Sequence, residues 1–286
     1  MKAEIEVLQP GLFSTIQDEG RFGFMKYGVP MSGPMDFYSF HLANLILNNN
    51  PGSAVMEITQ MGPVLKFLNS GYFVITGADL KPEINKKEIR NYIPYFFQGG
   101  DQLRFGGRQN GCRCYLAVSG GFKTQQVFRS QSWYEGITDY FHLEKGMRLQ
   151  TNGSVSIPSG NASVKYETLH FNKEEINVFP GPEYDQLPEL LKTDILSRKF
   201  RIDKENNRMA VQLEEIVPNS LKPILTGPVI PGTVQLTPSG KLIILMRDCQ
   251  TTGGYPRVLQ LSENGMNRLA QKVQGNSITF QLSPLQ

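Results

Sequence analysis

Two clusters in the sequence combine side chains that suit binding and activation of a small polar or anionic substrate. The first joins residues 17–21 (Gln-Asp-Glu-Gly-Arg) with residues 32–36 (Ser-Gly-Pro-Met-Asp), and the second is residues 248–255 (Asp-Cys-Gln-Thr-Thr-Gly-Gly-Tyr). Each contains a carboxylate, amide or hydroxyl donors, and glycines that let backbone N–H groups approach a ligand closely. Such clusters also form turns and helix caps, so composition leaves a binding role and a structural role open.

Each cluster lies where a predicted strand is followed by a loop and then a helix. The first follows a strand predicted over residues 13–16, and Asp36 precedes apolar residues at helical spacing. We therefore predict Asp36 as the N-cap of a helix that ends at residues 48–52 (Asn-Asn-Asn-Pro-Gly). The second cluster follows a strand predicted over 242–246 and precedes a helix over 263–272. This shared order is explained either by two related halves or by chance.

The remaining sequence is dominated by signals for short strands. From residue 54 to about 164, β-type apolar runs alternate with turns that contain Gly or Pro, and residues 114–118 are apolar on both faces, as in a buried central strand. The 28 glycines and 18 prolines favour turns over long helices. We expect a mainly β fold of closed or sandwiched sheets with a few short helices.

A domain boundary is predicted where the strand pattern pauses, at residues 167–173. A new apolar run, residues 176–179, follows this pause and leads into a short helix predicted over 185–196. The chain has 286 residues, and at about 150 residues per domain this length fits two domains. We place the N-terminal domain at 1–168 and the C-terminal domain at 169–286.

Several functions lack the sequence features that they need. The net charge is +3 without any run of Lys or Arg, so we expect no nucleic-acid partner. Glu4 and Glu6 interrupt the N-terminus, and no apolar stretch approaches the length of about 20 residues that spans a membrane; we expect a cytoplasmic protein.

Three cysteines and three scattered histidines form no disulfide framework and no metal spacing. No P-loop is present, and Lys26 lacks the Met-Lys-Met context of biotinylation, so we expect no covalently bound biotin.

Further motifs accompany the two clusters along the chain, in a fixed order. They are Pro10-Gly11-Leu12, Gln17-Asp18-Glu19-Gly20-Arg21, Gly28-Val29-Pro30, Ser32-Gly33-Pro34-Met35-Asp36, Ala43-Asn44, Glu57, Gly62-Pro63, Thr76-Gly77-Ala78, Tyr115 to Gly121, Pro180-Gly181-Pro182, Arg208-Met209 and Gln250 to Pro256. In this order they resemble the carboxyltransferase family of allophanate hydrolase subunit 2. That family includes the C component of 5-oxoprolinase, the antagonist of a sporulation-kinase inhibitor, and the carboxyltransferase region of urea carboxylase. The resemblance covers essentially the whole chain.

The resemblance implies a fold, partners and an activity. The fold is two cyclophilin-like β-barrel domains, and the partner is a sister subunit of related fold, the B component of 5-oxoprolinase. In the 5-oxoprolinase branch the activity is ATP-dependent opening of 5-oxo-L-proline to L-glutamate. The B and C components would phosphorylate the lactam, with Mg²⁺ accompanying the ATP, and a separate hydrolase, the A component, would complete the reaction. A lactam carbonyl is a poor electrophile, and phosphorylation of its oxygen makes attack by water feasible.

On this basis the resemblance assigns roles to residues in both clusters. Asp36 and Asp248 would act as acid–base or Mg²⁺-coordinating carboxylates, with Arg208 as a catalytic anion partner. The substrate- or nucleotide-binding residues would be Gln17, Arg21, Ser32, Asn44, Gln250, Thr251, Thr252, Gly253, Gly254 and Tyr255. Each role has a structural alternative: Asp36 as a helix cap only, Asn44 as a tie between the barrels, and Arg21 as an ion-pair partner of Asp18 or Glu19.

Three segments depart from the family pattern, and each lacks one arginine of that pattern. Residues 206–213 read Asn-Asn-Arg-Met-Ala-Val-Gln-Leu in place of Ser-Asp-Arg-Met-Gly-x-Arg-Leu, and residues 129–133 read Arg-Ser-Gln-Ser-Trp in place of Gly-Ser-Arg-Ser-Thr. Residues 248–250 read Asp-Cys-Gln in place of Asp-Arg-Gln. Each lost charge-assisted contact is worth about 1.5–3 kcal/mol. Either the substrate differs, neighbouring cations compensate, or catalysis is reduced.

Three functions therefore remain open at this point. The first is the C component of an ATP-dependent 5-oxoprolinase, inactive without its partners. The second is a carboxyltransferase that acts on carboxybiotin from a separate protein, as in urea carboxylase. The third is a regulatory binding module that sequesters the sister subunit without turnover. The missing arginines favour the third, and the intact motif from Gln250 to Pro256 favours catalysis.

Overall fold

A computed structural model describes residues 3–153 and 172–284 of the chain. The chain divides into two compact units, the first comprising residues 1–21 and 32–168 and the second residues 22–31 and 169–286. The boundary predicted after residue 168 and most of the predicted linker lie outside the described residues. The domain limits 1–168 and 169–286 therefore stay a prediction.

The first unit is built from twelve described strands and one helix. The strands are β1 (Glu4–Gln9), β2 (Phe13–Gln17), β3 (Val55–Thr59), β4 (Val64–Phe67), β5 (Gly71–Asp79), β6 (Pro82–Ile84), β7 (Lys87–Glu88), β8 (Tyr95–Phe97), β9 (Gln102–Phe105), β10 (Asn110–Val118), β11 (Phe122–Lys123) and β12 (Arg148–Thr151). The helix, α1 (Phe37–Ile46), lies between β2 and β3 in the chain.

These strands form two sheets. One has seven strands in the order β11-β12-β1-β4-β9-β6-β7, and the other has five in the order β2-β3-β10-β5-β8. Strand β10 lies between β3 and β5 and is antiparallel to both. This position confirms the prediction of a buried central strand over residues 114–118.

Strand β10 is apolar on both faces because each face packs against a different layer. Leu116 belongs to a core cluster with side chains of both sheets, including Phe67 and Phe73. The neighbouring Tyr115 and Ala117 point the other way, into a second cluster that contains Phe40, Ala43 and Leu47 around α1. Successive side chains of a strand alternate between faces. The five-stranded sheet is therefore covered on both sides, which places α1 and its N-terminal loop against it.

The second unit contains nine described strands and two helices. The strands are β13 (Glu175–Pro180), β14 (Phe200–Asn206), β15 (Ala210–Leu213), β16 (Gly227–Pro228), β17 (Thr233–Leu236), β18 (Leu242–Leu245), β19 (Thr252–Gly253), β20 (Arg257–Leu261) and β21 (Ser277–Leu282). The helices are α2 (Glu189–Ser197) and α3 (Glu263–Leu269). Seven strands form a closed barrel in the order β13-β20-β17-β18-β15-β14-β21, and β16 pairs with β19 separately. The prediction of a mainly β fold with a few short helices is confirmed.

One predicted helix is divided in the structure. The sequence pattern predicts a continuous helix over residues 185–196, whereas a 3₁₀ turn occupies Tyr184–Gln186 and α2 begins only at Glu189. Pro188 precedes α2 as its N-cap residue, with non-helical backbone angles. A proline inside the helix would remove a backbone donor and clash with the preceding turn. The helix therefore begins after Pro188.

No helix among residues 3–153 and 172–284 combines the length and apolar character needed to cross a membrane. The longest of the three described α-helices, α1, has 10 residues. A bilayer core needs about 20.

Stacked phenylalanine rings are expected to dominate the stability of the first unit. The rings of Phe67 and Phe97 stack with centroids 3.9 Å apart, and Phe97 is fully buried, whereas its strand neighbour Phe96 is 47% exposed. Phe97→Ala should lower the free energy of unfolding by about 3–5 kcal/mol because it leaves a cavity. Phe96→Ala, the matched control on the same strand, should change it far less. Urea unfolding checks both, and equal losses would contradict this account of the core.

Candidate functional site

The loop at residues 32–36 is attached to the first unit by buried polar side chains. The backbone N–H of Gly33 donates to Gln17 Oε1 at 3.0 Å, and the N–H of Met35 donates to Glu57 Oε2 at 2.7 Å. The N–H of Asp36 donates to the hydroxyl of Tyr115 at 2.8 Å. Three successive parts of the predicted first cluster are therefore held by side chains from β2, β3 and β10.

Glu57 and Tyr115 form the centre of this polar network. The Tyr115 hydroxyl donates to Glu57 Oε2 at 2.8 Å, and Arg113 Nε lies 3.9 Å from Glu57 Oε1. Burial raises the pKa of Tyr115 well above its usual value, and the charges of Glu57 and Asp36 raise it further. The phenol therefore remains protonated and able to donate. Sequence reasoning did not give Tyr115 a role, although Tyr115 and Glu57 both lie among the motifs that carry the family resemblance.

Asp36 is the N-cap of α1, as predicted. Its carboxylate accepts hydrogen bonds from the backbone N–H of Ser39 at 3.1 Å and from the Ser39 hydroxyl at 2.7 Å. The residue is fully buried. A side chain that accepts the free N–H groups of the first turn stabilises a helix by about 1 kcal/mol. Its predicted acid–base or Mg²⁺-binding role stays a prediction beside this structural one.

Ser32 lies at the start of the same loop in an unusual environment. Its backbone φ is 56°, in the left-handed region that most side chains avoid. Its side chain is 1% exposed, and the hydroxyl has no hydrogen-bond partner among the residues that the structure describes. A buried hydroxyl without a partner is costly unless another group satisfies it, and a bound ligand is one group that could do so. Ser32 is therefore the residue of the first cluster whose surroundings best fit its predicted role as a ligand donor.

Asp18 holds the segment after β11 in place. Its carboxylate accepts from Ser130 Oγ at 2.5 Å, from Ser132 Oγ at 2.7 Å, from the Gln131 N–H at 2.6 Å and from the Gly20 N–H at 3.0 Å. These bonds bring the segment that departs from the family pattern against the first cluster. The contact joins residues more than 100 positions apart, so the sequence contained no local signal for it.

The other residues predicted for the first cluster divide into two groups. Arg21 is fully buried, and its guanidinium donates to the carbonyl of Ser132, beside the Trp133 carbonyl that accepts from the Gln17 amide. Asn44 lies eight residues after Asp36, about 12 Å along the helix axis. Its amide donates to the carbonyls of the following loop, at Ser53 over 2.9 Å and at Pro51 over 3.2 Å. The structure thus brings Arg21 and Gln17 together and places Asn44 apart.

In the second unit, Arg208 and Asp248 bind each other. Arg208 Nε donates to Asp248 Oδ2 at 2.7 Å and its terminal nitrogen to Oδ1 at 3.0 Å, while the backbone N–H of Asp248 donates to the Arg208 carbonyl at 2.9 Å. Only 7% of Arg208 and 9% of Asp248 is exposed. This two-bond geometry is the strongest form of a carboxylate–guanidinium contact. Two of the three residues predicted to be catalytic, Arg208 and Asp248, therefore lie together in the second unit.

The loop after Asp248 presents polar side chains to solvent. Gln250, Thr252 and Tyr255 are exposed, and the Thr251 carbonyl accepts from the Val229 N–H at 3.1 Å. A Cβ at Gly253 would lie 2.4 Å from the side-chain nitrogen of Gln235, so that side chain would have to shift to admit any larger residue. At Gly254 a Cβ would meet only the Ile224 carbonyl, at 3.6 Å. Close packing therefore favours glycine at position 253 and does not account for Gly254.

An ion pair that sequence reasoning missed fixes the end of this loop. Arg257 Nε and its backbone N–H both donate to Glu183 Oε2, at 2.9 and 2.8 Å. Hydrogen bonding from Arg257 lowers the pKa of Glu183 despite partial burial. The pair connects β20 to the turn after β13, where the motif Pro180-Gly181-Pro182 lies.

Each unit thus offers donors for an anionic or amide ligand. The first has Ser32 among buried polar groups, and the second has Gln250, Thr252 and Tyr255 beside the Arg208–Asp248 pair. Within the described parts of the chain, no three His, Cys, Asp or Glu side chains group closely enough to hold a metal ion.

Comparison with known proteins identifies what this arrangement is similar to. Residues 27–282 match the family model described as carboxyltransferase domain, subdomain A and B. The chain is 30% identical over 283 residues to the C component of the Escherichia coli 5-oxoprolinase, covering 96% of this chain and 90% of that protein.

Two solved structures extend the similarity to the fold. The crystal structure of TTHA0988 superposes with a TM-score of 0.87 at 28% identity, covering 98% of this chain and 56% of that one. The Kluyveromyces lactis urea carboxylase superposes with a TM-score of 0.86 at 26% identity, covering 97% of this chain and 27% of that one. The chain therefore spans about half the length of the first structure and about a quarter of the second.

Breaking the Arg208–Asp248 pair should destabilise the second unit. In Arg208→Met the Asp248 carboxylate remains buried without its cation, and we expect the free energy of unfolding to fall by about 3–5 kcal/mol. The double variant Arg208→Met with Asp248→Leu should recover part of that loss, because no unpaired charge remains. Denaturant unfolding measures both.

Arg201→Met provides the control for this experiment. Arg201 is 59% exposed and pairs with Glu214 and Glu215 at the surface. Such pairs are worth at most about 1 kcal/mol. If Arg208→Met costs no more than Arg201→Met, the buried pair does not stabilise the barrel.

The cysteine thiols should be unreactive in the folded protein. Cys112, Cys114 and Cys249 are free and buried. Burial, with a smaller contribution from Asp248, raises the pKa of Cys249 to about 12, and burial also raises that of Cys114. Since only the thiolate reacts, a disulfide reagent at mildly alkaline pH should label the native chain slowly and all three thiols once guanidinium unfolds it. Rapid labelling of the native chain would contradict this burial.

Proposed function

We propose that this chain, which belongs to the carboxyltransferase domain family, is the C component of an ATP-dependent 5-oxoprolinase. The observation that supports the proposal is the match to the E. coli protein along almost the full length of both chains. A match of this extent involves both units and both predicted clusters. In this proposal the chain works in the cytoplasm with a sister subunit, the B component, and with a separate hydrolase, the A component.

The chemistry proposed for the complex starts from an unreactive amide. The carbonyl oxygen of 5-oxo-L-proline attacks the γ-phosphorus of ATP, and ADP leaves. Water adds to the activated ring carbon, the ring C–N bond breaks with proton transfer to nitrogen, and γ-glutamyl phosphate forms. A second water releases phosphate and L-glutamate. Catalysis of such steps is mostly positioning and stabilisation of the developing charge.

Residues of the second unit would bind the anionic groups in this reaction. Gln250, Thr251 and Thr252 would donate hydrogen bonds to the substrate or to phosphate oxygens, and Tyr255 would cover the ligand. Asp248, oriented by Arg208, would act as the acid–base group. Since each residue of that pair neutralises the other, the ligand charge must be balanced by other cations or by Mg²⁺.

Residues of the first unit would contribute further donors. Ser32 would donate its buried hydroxyl to a ligand, with Gln17 holding the neighbouring Gly33 in place. Arg21 would maintain the position of the segment at Ser132. The side chains of Asp36 and Asn44 already make hydrogen bonds within the unit. They would therefore contribute to binding indirectly, by holding their loops in position.

ATP would enter as a substrate with its own Mg²⁺. Such an ion usually keeps several waters and binds phosphate oxygens together with one or two protein carboxylates. Asp36 and Asp248 would be the carboxylates for that mode. The proposal includes no covalently bound biotin.

A second candidate is a regulatory module that binds the sister subunit without turnover. One observation favours it: the carboxylates of Asp36 and Asp248 are both occupied by protein donors, Ser39 and Arg208 respectively. A carboxylate engaged in this way is less available as a base or a metal ligand. The absence of three family arginines favours the same candidate.

The decisive experiment is reconstitution. We expect the chain, co-purified with its sister subunit and supplied with the separate hydrolase, to form L-glutamate from 5-oxo-L-proline only when ATP and Mg²⁺ are present. Gln250→Ala removes an exposed donor and should lower kcat by about two- to tenfold, the value of one neutral hydrogen bond. Its thermal unfolding should match that of the wild type.

Gln102→Ala, an exposed glutamine on β9 of the first unit, is the matched control and should leave kcat unchanged. A stable complex that forms neither L-glutamate nor ADP would reject the enzyme and support the regulatory module. Carboxylation of a substrate by a carboxybiotin-bearing protein would instead establish the carboxyltransferase activity of the urea carboxylase type.

A further inference from the structure

A pocket of about 270 Å³ lies in the first unit, beside the segment that connects β11 to β12. Its lining includes the cations Lys123 and Arg148, the anion Asp139, and the rings of Trp133 and Tyr140. Ligand pockets in proteins are commonly about 300–1,000 Å³, so an occupant of this pocket must be small.

The two cations lie on one face of the seven-stranded sheet. Lys123 on β11 is opposite Gln150 on β12, and Arg148 lies two residues from Gln150. Residues two apart on a strand share a face, and diagonal neighbours across strands have Cα atoms about 7–8 Å apart. One small ligand can therefore reach both side chains. Both are exposed, and neither side chain makes a hydrogen bond or ion pair within the described parts of the chain.

The remaining charge in the pocket is negative and comes from Asp139. Its backbone N–H donates to Gln125 Oε1 at 3.3 Å, so the loop is held in place while the carboxylate stays exposed. Among residues 3–153 and 172–284, that carboxylate also has no hydrogen-bond or ion-pair partner. Two cations and one anion complement a ligand that bears two carboxylates and one ammonium group.

Two aromatic rings also line the pocket. The Trp133 ring lies 5.8 Å from the Tyr140 ring, measured between centroids, at an angle of 43°. Trp133 is 4% exposed and Tyr140 is 50% exposed. Rings in this position can pack against a short hydrocarbon chain and shield it from water.

From this complementarity we propose that the pocket binds a free dicarboxylic amino acid. Lys123 and Arg148 bind its two carboxylates, Asp139 binds its ammonium group, and Trp133 and Tyr140 pack against its methylene carbons. The proposal depends on the lining charges alone and holds whether or not the chain takes part in lactam opening.

Tryptophan fluorescence of the full-length chain tests the proposal directly. Trp133 is the single tryptophan in the sequence, so selective excitation reports on this pocket. We expect a saturable change on titration with L-glutamate. Glutarate lacks the ammonium group and L-glutamine lacks the second carboxylate, and each should bind about tenfold or more weakly, because each loses one charge-assisted contact.

Single substitutions should assign each charge to its partner. Lys123→Met and Arg148→Met should weaken binding of both L-glutamate and glutarate by about tenfold or more. Asp139→Asn should weaken L-glutamate by a similar factor and leave glutarate unchanged or bound more tightly. Arg104→Met, at an exposed arginine on β9 outside the pocket lining, is the control and should leave both affinities unchanged.

Three results would overturn the proposal. One is the absence of a saturable signal with L-glutamate in wild-type protein whose circular dichroism shows it folded. Another is binding of glutarate at least as tight as that of L-glutamate, which would exclude an amino acid. The third is an equal loss of affinity in Arg104→Met and Arg148→Met, which would show a nonspecific charge effect. Because the assay measures binding and not turnover, its failure is distinct from a failure of the 5-oxoprolinase activity.

Discussion

The first unit depends on a buried carboxylate. Glu57 extends from an apolar strand into the interior and must be satisfied there, since an unpartnered buried charge is strongly destabilising. It accepts hydrogen bonds from the Met35 N–H and the Tyr115 hydroxyl, and Arg113 lies near its other oxygen. The loop that precedes α1 is therefore constrained by the same group that must be neutralised. The contacts that satisfy Glu57 therefore stabilise the sheet and also hold the loop in position.

The second unit depends on the closure of a barrel. Strands β13 and β21 pair in parallel, and this pairing completes the ring of seven strands. The exposed loop that contains Gln250 leaves this barrel directly after the Arg208–Asp248 pair. A pair with two hydrogen bonds restricts both side chains, so the loop begins from a fixed point. The rigid ion pair and the exposed donors are therefore complementary parts of one candidate site.

The departures from the family pattern acquire a physical meaning in the structure. Ser130 and Ser132 bind Asp18, whereas Gln131 and Trp133 stand where the family pattern given above has Arg and Thr. Trp133 lines the pocket beside Lys123 and Arg148. Gln131, which stands where the pattern has Arg, is therefore followed directly by a bulky ring that lines a pocket with two exposed cations.

The local structure and the family could be predicted from the sequence alone. Alternating apolar runs, Gly and Pro turns and a capping Asp predicted the strands and α1, because these signals act between residues close in the chain. Which polar groups meet could not be predicted in this way. The partners in the contacts of Asp18 with Ser130 and Ser132, of Glu57 with Tyr115, and of Arg208 with Asp248 lie between 40 and 114 residues apart in the chain. Their contact follows from strand order and register. Strand pairing is a long-range choice that local propensity does not encode, so the chemistry of each site was visible only after folding.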